Sequence, residues 1–449
     1  MRRYVAALLV LAAATAAGAG LYTVYANDRD YARLIADGDR ALAAEQPFQA
    51  LEAYSGAIGL RPDSMVAHLK RGITYHDRGE LTAAVKDLRR AADLDPTATV
   101  PAELLGDTNL ALERYERAAE RYQAYLALDD RTARVWYKLG LARYRAGAPV
   151  HATDALRQAV SLDKTLAEAH YLLGLCLRDQ GQLDLAQASL DTAIRLEPAL
   201  TGPREALAGV YAAADDHPHA IDQLAALAAL DPSRPERVVA LGLAHARSRR
   251  HEAAVVTLSR AVERFPDEPQ VYAALGRVWL ESAEATRDRV ALKKAVEALT
   301  AAASHSDASS ETLTDLGRAH QLGGDTAAAE RALRQATTRL PVRPDAFLDL
   351  AALATRGGRA QEARDALLRY AMLIGESEPI GGVATQIATL SITLGEPRVA
   401  LRWIERAEDE TGASLALQAL RRRAKATSLL TSPAPSWGRA GHATHRPKS

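Results

Sequence analysis

The chain has 449 residues, with 56 basic and 56 acidic side chains and a formal net charge of zero. That balance removes any global electrostatic case for nucleic acid as a partner. Cys176 is the only cysteine, which excludes an intrachain disulfide and any multi-cysteine zinc site.

The N-terminus reads Met1-Arg2-Arg3, followed by residues 4–26 without a charge. This segment has two readings. As an uncleaved anchor, its 23 uncharged residues are long enough for a bilayer core, with Tyr4, Tyr22 and Tyr25 at the interfaces. As a signal peptide, Arg2 and Arg3 form the charged region and Val24-Tyr25-Ala26 a small-x-small cleavage site. The stretch before Ala26 is too apolar for a usual cleavage region, which favours the anchor. In either case Arg2 and Arg3 hold the N-terminus in the cytoplasm and send the rest of the chain outward. The excess of Arg over Lys and the abundance of Ala fit a GC-rich bacterial genome. The expected location is therefore a bacterial inner membrane, single-pass, with the following residues in the periplasm. The alternative is a secreted or periplasmic chain.

From there a small residue recurs every 34 positions: Gly38, Gly72, Gly106, Gly140, Gly174, Ala208, Gly242 and Gly276, then, after a longer interval, Gly317 and Ala351. A fixed period of this length means stacked copies of one supersecondary unit, which overrides the three domains that length alone suggests. In residues 167–200, Tyr171, Leu172, Leu175 and Leu177 have helical spacing around Gly174, Gly181 breaks the pattern, and Leu185, Ala186, Leu190, Ala193 and Ile194 resume it. Pro198 then stops the second helix. Further turn glycines fall at Gly79, Gly147, Gly324, Gly358 and Gly395. Triplets such as Ala50/Tyr54/Ala57, Ala84/Leu88/Ala91 and Ala254/Leu258/Ala261 mark the second helices. One such pair cannot bury its own apolar faces, so its neighbours must cover them.

These residues resemble the tetratricopeptide repeat family over about residues 30–410. The resemblance implies an all-α, right-handed superhelical solenoid of about eleven helix-turn-helix repeats over residues 27–410. Between Gly276 and Gly317 the interval grows by seven residues. The Ala295/Leu299/Ala302 triplet places the excess before a second helix, around 281–292, as extra helical turns or as a loop. In the last repeat the first helix is offset by three residues, absorbing the 376–382 linker. A capping helix over 411–430 carries Arg421, Arg422, Arg423 and Lys425 on a solvated face. Residues 431–449 are rich in Pro, Gly, Ser and His and are expected to be a disordered tail.

The resemblance also implies a concave groove lined by the first helices, at the second, fifth, ninth and twelfth positions of each repeat. Those positions hold Val66, Leu69, Ile73 and His76, then Val100, Glu103, Asp107 and Leu110. Arg134, Tyr137, Leu141 and Tyr144 follow, then Glu168, Tyr171, Leu175 and Arg178, and last Gly202, Glu205, Gly209 and Ala212. Arg134, Tyr137, Tyr144, Tyr171 and Arg178 form the candidate partner-binding set, because Tyr and Arg are enriched at interface hot spots. The competing reading packs the tyrosines between adjacent repeats. Relatives that grip a terminal carboxylate use a Lys/Asn set where this chain has Leu69 and Ile73, or Glu103 and Asp107, so that mode is not expected. A four-cysteine module found in some envelope scaffolds of similar layout is excluded by the single cysteine.

No residue pattern points to catalysis. There is no Gly-rich phosphate loop, no G-x-S-x-G and no H-E-x-x-H. Arg287, Asp288, Arg289 and Lys293 in the insertion offer an enzymatic reading but lack a nucleophile–base pair. Cys176 reads as an apolar filler, and His217 and His219 as turn residues rather than ligands. The expectation is a non-enzymatic scaffold without cofactor, metal, nucleic acid or small-molecule substrate. It would hold protein or peptide partners in its groove and the membrane through residues 4–26, in envelope assembly, secretion or polysaccharide export. The alternatives are a soluble adaptor with a cleaved leader and a regulatory subunit of an envelope enzyme.

Overall fold

The computed structural model describes the backbone of residues 2–375 and 378–431, and the side chains of residue 15 and of residues 22–375 and 378–428. The described residues form twenty-three helices and no strand. They run in pairs: α1 (Arg2–Ala43) with α2 (Pro47–Leu60), α3 (Met65–Asp77) with α4 (Leu81–Leu94), α5 (Thr99–Ala111) with α6 (Tyr115–Leu126), and α7 (Ala133–Arg145) with α8 (Pro149–Leu162). Then come α9 (Ala167–Asp179) with α10 (Leu183–Leu196), and α11 (Thr201–Ala213) with α12 (His217–Leu230). A second compact unit begins at Asp231. It contains α13 (Pro235–Arg247) with α14 (His251–Arg264), α15 (Pro269–Thr286) with α16 (Arg289–Ala303), and α17 (Ser310–Leu322) with α18 (Thr326–Ala336). It ends with α19 (Asp345–Arg356) and α20 (Ala360–Ile374), α21 (Gly381–Thr393) and α22 (Pro397–Thr411), and a single helix, α23 (Leu415–Thr431). The described residues thus form eleven helix pairs and one further C-terminal helix.

The 34-residue beat has a steric cause. A Cβ placed on Gly174 would lie 2.6 Å from Leu190 Cγ, on the partner helix sixteen residues on. The same relation joins Gly72 to Leu88, Gly140 to Leu156, Gly242 to Leu258 and Gly317 to Leu333, and joins Gly38 and Gly106 to the rings of Tyr54 and Tyr122. Each glycine is a hole and each Leu or Tyr is its plug. The small flanking residues, Ala186 and Ala193 around Leu190, are completely buried and let the two backbones close on it. Both tyrosine plugs solve the polar problem identically. Tyr54 Oη donates to Asp39 at 2.7 Å and Tyr122 Oη to Asp107 at 2.7 Å, each carboxylate standing one residue after the glycine.

Turns within pairs need one left-handed residue. Gly181 supplies it at φ +73°, as do the other five turn glycines. At the equivalent position Glu45, Glu113, Asp215 and Arg249 adopt φ between 55° and 59° despite their side chains. The insertion is helical: α15 has 18 residues where its counterparts α13 and α17 have 13. It ends at Arg287, left-handed at φ 56°.

The N-terminal segment and the first repeat are continuous in α1, which crosses residues 26 and 27 without a break. The anchor or signal reading of residues 4–26 falls largely on side chains outside the described residues, as does the tail over 432–449. Among the described residues no helix is long and apolar enough to cross a membrane.

Two substitutions test this packing. Gly174→Ala forces Leu190 out of its hole, so urea unfolding should show a loss of about 1–2 kcal/mol, overpacking outweighing the better helix propensity of Ala. Arg249→Gly removes the left-handed penalty and should stabilise by about 1 kcal/mol in the same assay.

Candidate functional site

Neighbouring first helices meet along a seam in which the ninth position of one repeat faces the sixth of the next. In the first unit Asp39 accepts from Lys70 Nζ at 2.8 Å, and Asp107 from Lys138 Nζ at 2.8 Å, both 31 residues apart. Glu103 also accepts from Lys138, at 2.7 Å. In the second unit the signs are exchanged: Arg277 donates to Asp315 at 2.8 Å and Arg318 to Asp349 at 2.6 Å. Where one position is apolar its partner is too. Leu141 and Leu172 share one core cluster with Leu175 and Ala206, and Leu243 shares another with Ala274. Glu103 and Asp107, which the resemblance places in the groove, are therefore committed to Lys138. The signal for Lys138 was in the sequence: Lys70 and Lys138 both stand two residues before a beat glycine, 31 residues after an aspartate.

Beyond the Lys138 rung the groove of the first unit becomes aromatic. Tyr137 and Tyr144 on α7 and Tyr171 on α9 are half-buried against the core cluster that holds Leu172, Leu173 and Leu207. Arg134, in the first turn of α7, is exposed. Tyr144 Oη donates to Asp179 at 3.0 Å. Arg178 donates to the other oxygen of Asp179 through Nε at 3.0 Å and Nη2 at 2.8 Å. Asp179, absent from the sequence-based set, thus ties α7 to α9 and takes up two of the donors of Arg178.

Tyr171 has a packing task as well. A Cβ on Gly202 would meet its ring at 2.8 Å, so the ring lies against α11 where only glycine leaves space. Tyr171 thus packs between repeats, and Tyr137 and Tyr144 lie against the same core cluster, while Arg134 stands exposed at the start of α7. Burial raises the phenol pKa of all three tyrosines. The next contributor is the Glu168 carboxylate for Tyr137, the hydrogen bond to Asp179 for Tyr144, and the Glu205 carboxylate for Tyr171. All three stay protonated near neutrality and can donate hydrogen bonds.

Other side chains singled out by sequence resolve differently. Cys176 is fully buried, and burial pushes its thiol up to about 12, so it packs as a filler and is a poor nucleophile. His219 does have an acidic partner, Asp216, at 2.7 Å, and its ring stacks on Tyr211 with centroids 5.1 Å apart. Among the described residues no group of three or more His, Cys, Asp or Glu side chains is arranged to hold a metal ion.

Sequence models described as tetratricopeptide repeat match residues 35–99, 104–167 and 314–377, residues 167–200, and residues 235–278. The chain is a tetratricopeptide repeat protein. It is 32% identical over 106 residues to small glutamine-rich tetratricopeptide repeat-containing protein 2 of Mycosarcoma maydis, covering 23% of this chain and 30% of that relative. The crystal structure of MamA is similar at 27% identity over 36% of this chain and 94% of its own, with a TM-score of 0.35. Yeast Tom70 is similar at 13% identity over 84% of this chain and 99% of its own, with a TM-score of 0.45. Among the described residues this tetratricopeptide protein is all-helical, as the resemblance implied.

Lys138→Met leaves Glu103 and Asp107 without their shared cation at a partly buried seam. The expected loss is about 1 kcal/mol in chemical unfolding, shrinking as salt screens the two carboxylates.

Proposed function

We propose that the chain is a protein-interaction scaffold whose first unit holds an extended peptide or a helix of a partner along α7 and α9. The observation that carries this reading is the Arg134, Tyr137 and Tyr144 face. Half-buried tyrosines supply large rigid contact area at low entropic cost, and the protonated Tyr137 phenol adds a hydrogen-bond donor, that of Tyr144 being given to Asp179. An exposed arginine beside them adds a planar fork for a carboxylate or carbonyl. Tyr171 and Asp179 hold this face in place from α9. A non-enzymatic role fits seam carboxylates such as Glu103 and Asp107, paired with Lys138, and a buried cysteine.

The uncharged run over residues 4–26 behind Arg2 and Arg3 supports a single-pass anchor with the repeats outside the cytoplasm. Partner assembly in the envelope, secretion or polysaccharide export follows from that placement. The same fold with a cleaved leader would serve as a soluble adaptor.

A photoactivatable crosslinker at Arg134 should capture a discrete partner in whole cells, while one at Arg157, exposed on α8, should not. Capture should fall at least tenfold in Tyr137→Ala/Tyr144→Ala with helicity retained by circular dichroism. Equal capture from both positions would refute the groove assignment. Intact mass of the mature chain tests the anchor separately: a product beginning at Asn27 rules it out.

A further inference from the structure

The seam between α17 and α19 is closed by Arg318, at the ninth position of its repeat, which donates to Asp349 at 2.6 Å. The next seam has no such bridge among the described residues. Its ninth position is Ala352, too short to reach across, and the offset of the last repeat shifts α21 along it. A cavity of about 480 Å³ opens between α19 and α21, lined by Ala352, Thr355, Arg356, Thr385, Thr389 and Leu390. Leu390 packs against the core cluster that holds Phe347, Ala351, Leu367 and Ile387.

This lining is less polar than its residue types suggest. Thr355 donates to the Ala351 carbonyl at 2.8 Å, Thr385 to Gly381 at 2.8 Å and Thr389 to Thr385 at 2.8 Å. Each hydroxyl proton is held by its own helix, so the threonines offer a ligand methyl carbon and lone pairs but no donor. No residue of α21 is charged. On α19, Asp345 and Asp349 are both paired with Arg318. Arg356 is the only charged side chain of the lining. It is exposed, gives Nε to the Ala352 carbonyl at 3.3 Å and enters no ion pair among the described residues. The donors left to a ligand are its remaining guanidinium N–H groups and the amide of Gln386, which also lines the cavity. A peptide lying here would find few donors for its row of carbonyls. A hydrocarbon chain that ends in a carboxylate needs donors at one end only, and the arginine fork supplies them. A volume of about 480 Å³ is that of a small-ligand pocket.

We propose that this cavity binds an aliphatic monocarboxylate, with its carboxylate on Arg356 and its hydrocarbon chain against Leu390, Ala352 and the threonine methyls.

The probe is octanoate, kept below its micellar range and titrated calorimetrically into the full chain at low salt. One saturable site is expected, about fivefold tighter than for octanamide, which keeps the chain and loses the charge. Acetate, which keeps the charge and loses the chain, should give no measurable binding. Arg356→Gln should weaken octanoate by about the same fivefold factor and erase its advantage over octanamide. Thr389→Val should leave affinity unchanged, because the lost hydroxyl served its own helix, whereas Thr389→Asp should abolish binding by setting a carboxylate in the cavity. Arg356 and Thr389 are exposed, so all three variants keep their helicity by circular dichroism. The absence of a saturable site, equal binding of octanamide, insensitivity to Arg356→Gln, or loss in Thr389→Val would each overturn the proposal. Tighter binding of the tetrapeptide Ala-Ala-Ala-Leu than of octanoate would overturn it too, by giving the cavity to a peptide.

Discussion

Every helix pair depends on the close approach of two backbones at one point, where a first-helix residue has little or no side chain and a second-helix residue fills the gap. At Gly174 and Leu190 the gap is too small for one added carbon. This contact sets the helices' separation and register, and so determines which residues remain on the outer faces to meet the next pair. The period follows from it: a small residue must return whenever the geometry does. The tyrosine plugs show that the constraint is on shape. Tyr54 and Tyr122 fill the same hole as leucine, but a buried phenol needs an acceptor, and Asp39 and Asp107 stand beside the glycines to provide it.

Those two aspartates link packing inside a pair to contact between pairs. Each accepts from its own tyrosine and from a lysine of the following repeat. The groove therefore cannot be read one helix at a time. A carboxylate that looks available on α5 belongs to Lys138 on α7, and an arginine that looks available on α9 has already turned to Asp179. Arg134, exposed in the first turn of α7, stays open beside the outer edges of Tyr137 and of Tyr144, whose hydroxyl already belongs to Asp179.

The fold was legible because its constraints are local and repeated. The beat glycines, turn glycines and second-helix triplets each recur in phase, and the helix pairs fall where they place them. The insertion was located by the same arithmetic, but its form was not, because a count of added residues does not say whether they coil. The seam partners were harder. Lys138, Asp179 and the Tyr171–Gly202 contact join residues about 31 to 35 positions apart, and each depends on which side chain the next repeat offers. A single repeat read in isolation contains half of such a contact. Periodicity reveals the other half only when the two columns are compared, as with Asp39 and Lys70 against Asp107 and Lys138.

Because the seams differ in kind, acid-to-base in one place, base-to-acid in another and hydrocarbon in a third, the repeats are not interchangeable bricks. Moving α7 and α8 next to α3 and α4 would set Lys138 against Ile73, stranding an ammonium on an isoleucine, and would rob Asp107 of its counter-ion. The chain thus encodes its own assembly order in the joints. A shuffled array with identical composition and an identical beat would still coil into hairpins, yet it would stack with gaps at the mismatched joints.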